Sequence, residues 1–147
     1  MDALFETHGG WVAFVLRIAL GIVFFAHGAQ KALGWFGGHG FKNTVAFFKN
    51  MGAPAPLGIL VILAEFLGSL GLIVGLLTRV AAFGIFVVML GAIFLVHYKV
   101  GFFMNWFGQQ KGEGFEFHLL AVAMAIALMI LGAGNLSLDA AISSSSP

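Results

Sequence analysis

Charge is scarce in this chain and cysteine is missing: 9% of its 147 residues are charged and none is cysteine. A soluble domain carries about a quarter charged residues, because its surface must meet water. Here 61% of residues are hydrophobic, leaving too little polar surface to cover a core, and lipid is the expected solvent for most of the chain. Without cysteine there is no disulfide, no thiol redox chemistry and no thiolate metal site within it. There is no basic run and the formal net charge is +1, which argues against nucleic acid as a partner. A basic leader is also lacking, since Asp2 and Glu6 make the first ten residues acidic, so the first apolar run is expected to stay as an anchor. No segment alternates with period two for long enough to be a strand of a membrane barrel.

What is present is apolar length. A helix needs about 20 mostly apolar residues to cross the hydrocarbon core, and four stretches are expected to meet that length, at about 11–33, 54–77, 78–98 and 115–132. Pro54 or Pro56 opens the second, and Gly132-Ala133-Gly134 closes the fourth. The expected fold is an all-α membrane protein, a four-transmembrane-helix bundle in one domain over residues 1–142, with Ser143–Pro147 a disordered tail. Between spans one and two, Phe41, Val45 and Phe48 recur at helical spacing opposite Lys42, Asn43, Lys49 and Asn50. That pattern predicts a short interfacial helix with snorkelling lysines. Between spans three and four, Phe102, Phe103, Trp106 and Phe107 suit the membrane–water interface.

Lys31, Lys42, Lys49, Lys99 and Lys111 lie on the rim of the two long loops, so the positive-inside rule puts those loops in the cytoplasm and both termini outside. The reverse orientation is the alternative. Gly21/Gly28, Gly71/Gly75, Gly84/Gly91 and Ala121/Ala125 give every span a small-residue face for close packing. Glycines left facing lipid would point to a homo-oligomer.

Ionisable groups inside a bilayer cost at least about 2.5–3.5 kcal/mol near a helix centre, so each needs a partner or a purpose. Glu65 falls near the middle of span two, on the glycine face. It is read either as a proton-transfer or ligand-binding group, or as the ion-pair partner of Arg17, about 9 Å away in depth. His27, Gln30 and Lys31 share one face of span one and suggest the lining of a polar cavity. His97, Glu113, Glu116 and His118 belong to the same half of the bilayer, with Arg79 at the opposite, hairpin rim. Glu113 and Glu116 are equally explained as acids favoured in a first helical turn. Imidazole with carboxylate suits a transition metal, but no spaced ligand motif is present, and no metal is assigned. The candidate pocket is therefore Arg17, His27, Gln30, Lys31, Glu65, Arg79, His97, Trp106, Glu113, Glu116 and His118. It crowds the long-loop rim and leaves the hairpin end comparatively bland.

The chain resembles the DoxX family of small four-helix membrane proteins from bacteria and archaea. The likeness rests on Arg17 through Phe25, on His27-Gly28-x-Gln30-Lys31 with Gly34-Trp35-Phe36-Gly37-Gly38, and on Glu65 followed by Gly68 and Leu76-Leu77-Thr78-Arg79. It continues through Asn105-Trp106, Gly112 to Glu116, and Gly132-Ala133-Gly134-Asn135-Leu136-Ser137-Leu138-Asp139. Ala133 and Asn135 depart from the Gly-Pro-Gly and basic residue common in relatives. The resemblance implies a bacterial inner-membrane protein and a link to quinone-dependent oxidoreductases, redox-stress complexes, membrane-protein assembly or cargo handling. A quinone site would use His27, Gln30 and Glu65, with Trp35, Phe36 and Trp106 as walls, and a partner protein would supply the electrons. The alternatives are a non-enzymatic binder, carrier or assembly factor and, ranked last, a proton or ion pathway through Arg17, Glu65 and His27.

Overall fold

The structure, a computed structural model, describes residues 2–145 and is all-helical, with no strand among the described residues. Its helices are α1 (Asp2–Phe5), α2 (Gly10–Leu33), α3 (Gly40–Asn50), α4 (Ala55–Val74), α5 (Thr78–Ala92), α6 (Glu116–Leu131) and α7 (Leu138–Ser145). A π-helical segment, Ile93–His97, prolongs α5. Three helical stretches are long and apolar enough to cross a membrane: Gly10–Leu33, Ala55–Val74 and Thr78–His97. The fourth apolar helix, Glu116–Leu131, has 16 residues and falls short of that length.

The four long helices pack in a ring, α2 on α4, α4 on α5, α5 on α6 and α6 back on α2. Leu20, Phe24, Leu72, Ile85, Met89, Ala125 and Leu128 fill the centre. Small residues set two of the seams. A methyl added at Gly28 would stand 2.6 Å from the Phe66 Cα, and one at Gly84 would stand 3.3 Å from the Ala64 Cβ. Gly21 likewise bears on Ile73, whereas Gly91 has open space around it. The expected small-residue faces thus bring α2 onto α4 and α4 onto α5.

A helix does follow α2, as the Phe41/Val45/Phe48 spacing predicts. It packs on α2 and α4, with Phe48 against Gly58 and the Thr44 hydroxyl bonded to the Lys31 carbonyl at 3.4 Å. The C-terminal tail is a correction. Ser143–Ser145 continue α7 rather than trailing away, because Ser144 and Ser145 hydroxyls donate to the carbonyls of Ala141 and Ile142 one turn back. Ser146 and Pro147 lie outside the described residues.

Candidate functional site

Where the long loops meet the bundle, α2 and α4 place one cation and one anion side by side. The Lys31 ammonium forms an ion pair with Glu65 Oε2. Glu65 is buried, its residue 2% exposed, while the Lys31 side chain keeps 31% of its surface. Burying a carboxylate is expensive unless it is paired and hydrogen-bonded, and Lys31 supplies that partner. Glu65 sits there because Gly28 lets the α2 backbone close onto the Glu65–Phe66 peptide. α2 then carries Lys31 one turn nearer the loops, and α3 covers it through Thr44.

His27 lies one turn before Lys31 on the same face, within electrostatic range of Lys31 and Glu65. It is exposed, and its neighbours are aromatic: the Phe24 ring at 6.2 Å and the Phe117 ring at 6.1 Å. The expected walls Trp35, Phe36 and Trp106 are instead exposed. Gln30 is spent locally, donating to the Phe36 carbonyl at 3.3 Å and so closing the turn after α2.

Across the bundle, His97 and His118 form a second polar group, their ring centroids 4.0 Å apart. His97 Nδ1 sits 2.8 Å from the Glu113 carbonyl. A carbonyl only accepts, so Nδ1 carries the proton and Nε2 is left as the lone-pair nitrogen in the neutral ring. His118 is 7% exposed, and its Nδ1 is buried without a well-formed hydrogen bond, the Gly114 backbone lying near it. Such a group costs about 1–3 kcal/mol, so it asks for an explanation. His118 is also within electrostatic range of His27 and Lys31. Lys31–Glu65 and His97–His118 are thus two polar pairs, with His27 within electrostatic range of both. Among the described residues no group of three or more His, Asp or Glu is arranged to hold a metal ion.

Glu113 and Glu116 serve the loop instead. Glu116 Oε1 accepts from the Met104 amide (2.8 Å) and the Trp106 indole (3.1 Å), and Glu113 Oε2 accepts from the Asn105 amide (2.7 Å). These bonds hold the 98–115 connection in a defined shape with Trp106 and Phe107 outward, 78% and 88% exposed.

Arg17 and Arg79 stand at the other end, and the expected Arg17–Glu65 pair does not form. Arg17 is fully buried and donates to five carbonyls: Leu72 (2.7 Å) and Ile73 (2.8 Å) at the end of α4, then Ala133 (3.1 Å), Asn135 (3.3 Å) and Leu136 (2.9 Å). A helix C-terminus leaves its last carbonyls unpaired and carries partial negative charge, so a guanidinium there is better satisfied than by a distant carboxylate. Gly75 permits the approach, since a methyl there would stand 2.7 Å from Arg17 Nη1. Arg79 caps α6 in the same way through the Met129 and Ile130 carbonyls and reaches the Glu6 carbonyl. Asp139, missing from the sequence-derived pocket, completes this end. Its two oxygens accept the Leu77 (2.8 Å) and Thr78 (2.9 Å) amides, capping α5 from α7. The hairpin end is far from bland. It is the fold's clasp, although Thr78 Oγ1 and Arg79 Nε there have no partner of their own.

A family description, DoxX, matches residues 12–98, which hold Arg17, His27, Lys31 and Glu65. The chain belongs to the DoxX family. This DoxX protein is 30% identical over 125 residues to a Bacillus subtilis (strain 168) protein named "Putative oxidoreductase CatD", a match covering 85% of this chain and 82% of the relative. No solved structure matches the chain. With its three long apolar helices, the DoxX chain is a multi-pass membrane protein.

Proposed function

We propose that this DoxX protein is an inner-membrane subunit of a quinone-linked redox system, receiving electrons from a partner protein. The observation that carries the reading is the ion pair of the partly exposed Lys31 with the buried Glu65, with His27 within electrostatic range. Quinone reduction consumes protons, and an ion pair inside the bundle is a store for one: a proton delivered to or taken from the pair changes its charge state without moving the backbone. The relative's name is consistent with redox work. In this reading α6 is the fourth span. Its 16 residues cover about 24 Å, and Phe115 and the Gly132 stop lie at its ends. α3 lies along the interface, and the termini are periplasmic. Arg17 and Arg79 are consumed by carbonyls at the hairpin end, so the available positive charge, Lys42, Lys49, Lys99 and Lys111, sits at the loop rim. The test is quinone reduction by membranes carrying Glu65→Gln at normal protein levels. The expected outcome is loss of most of the activity that the wild-type protein supports; an unchanged rate removes Glu65 from the site.

A non-enzymatic role as an assembly factor is favoured by a separate observation, the Trp106 and Phe107 rings displayed on a loop held by Glu113 and Glu116. Under that reading Trp106→Ala with Phe107→Ala abolishes co-purification of a partner while leaving the bundle's unfolding unchanged.

A further inference from the structure

The four seams of the bundle are closed by different means, and one of them differs along its length. Between α2 and α4, glycine brings backbone against backbone, as at Gly28 on Phe66. The α2–α6 seam is the least closely packed of the four. At the hairpin end it is shut, with the His8 amide bonded to the Leu131 carbonyl at 2.8 Å and Gly9 fitted against Leu131. Toward the long loops it is filled by rings. Phe24 and Phe117 lie nearly parallel, 21° apart with centroids at 6.4 Å, and His27 tilts against both. Exposure falls inward across this seam: His27 is exposed, Phe117 half-buried, Phe24 and His118 buried. Next to Phe117 in α6 is His118, its ring 5.5 Å from that of Phe117 and within electrostatic range of His27, with an Nδ1 that lacks a well-formed hydrogen bond.

Rings are separated more easily than interlocked backbones, because a side chain turning about its own χ angles moves no helix. A half-buried Phe117 that swings outward leaves a flat gap bounded by Phe24 and opening sideways, where His27 is exposed. Such a gap suits a planar ring stacked at offset, and it offers one polar contact deep inside. Sites for small ligands have that character, apolar walls with a few placed polar groups. A neutral imidazole serves both oxidation states of a quinoid ring, donating to a carbonyl in one tautomer and accepting from a hydroxyl in the other.

We propose that the loop-end half of the α2–α6 seam is a lateral slot for a flat, membrane-soluble quinone or quinol. Phe24 is its wall, Phe117 is the ring that turns aside to open it, His27 stands at its mouth, and His118 Nδ1 is the partner of the ring oxygen. The identity of the ligand rests on the quinone-linked reading; the position of the slot rests on the seam alone. His118 binds the ligand, and Lys31–Glu65 is the neighbouring proton store, Lys31 lying within electrostatic range of His118.

The test is photolabelling of the full chain in lipid nanodiscs with an azido-benzoquinone bearing a short alkyl tail, competed by decylubiquinone. Label is expected on the stretches around Phe24–Gln30 and Phe117–Ala121. His118→Leu is expected to weaken the competition about tenfold, the equivalent of one hydrogen bond to a buried group. Because it also removes an unsatisfied buried nitrogen, its unfolding midpoint should be unchanged or higher. A structural role for His118 predicts a lower one. Leu60→Ala, at an exposed position of α4, is the control and should leave labelling unchanged. Quinone label confined to the 34–38 turn or the 101–114 loop overturns the slot while leaving the quinone reading standing. A photoreactive alkylphenol that labels the seam where the quinone does not keeps the slot and discards the quinone. No seam label with either probe, or full competition in His118→Leu, overturns the proposal.

Discussion

The two ends of this bundle treat buried charge in opposite ways. At the hairpin end Arg17, Arg79 and Asp139 are bound to the backbone, to the last carbonyls of α4 and α6 and the first amides of α5. Each charge there is joined to the end of a helix rather than to an opposite charge. At the loop end Lys31 and Glu65 are bound to each other, with His27 and His118 within electrostatic range of Lys31. The first pattern fixes helix ends, and the second joins side chains of two helices to each other.

If that contrast is right, the largest loss of stability belongs to Arg17. Arg17→Met strands five carbonyls and is expected to destabilise the protein by about 3–5 kcal/mol, as removal of a buried charged partner does. Unfolding in mixed detergent–SDS micelles reads this directly, and a loss near zero would dissolve the idea of a clasp. Asp139→Ala removes a helix cap delivered from another helix and should cost about 1–2 kcal/mol in the same measurement, with Asp139→Asn losing less. The Lys31–Glu65 pair is sharpened by a double-mutant cycle. Glu65→Gln and Lys31→Met together should be more stable than the two single losses add up to, with coupling of about 1 kcal/mol, because Lys31 is partly exposed and can turn toward water. Additive losses would mean the pair contributes nothing to stability. The smallest effect belongs to Glu6, whose contact with His8 at 3.4 Å is mostly exposed on both sides. Glu6→Gln should change stability by less than about 0.5 kcal/mol, which would show that burial, and not position at the hairpin end, makes the clasp.

Much of the frame was legible in the sequence. Spans expected at 11–33, 54–77 and 78–98 correspond to Gly10–Leu33, Ala55–Val74 and Thr78–His97, because apolar length and Gly or Pro punctuation are local properties. The burial of Glu65 was legible too, since three residues separate it from Gly68 on one helix face. Its partner was not. Arg17 and Lys31 both come from α2, and depth counting cannot tell which side chain turns toward α4 and which toward carbonyls that every helix end supplies. Asp139 was missed for a related reason. Its role depends on α7 folding back onto the start of α5, a contact across 61 residues that no periodicity announces. The rings beside His27, Phe24 and Phe117, were not legible, because their meeting depends on how α2 and α6 cross.

The contrast between the ends is tested most directly by unfolding Arg17→Met and Glu65→Gln side by side in one micelle system. Backbone-bound and side-chain-bound charge should separate clearly, with Arg17→Met losing about 3–5 kcal/mol and Glu65→Gln losing less, because the partly exposed Lys31 left behind can turn toward water. Equal losses, or a larger loss for Glu65→Gln, would contradict the account and make Lys31–Glu65 a structural element like the rest.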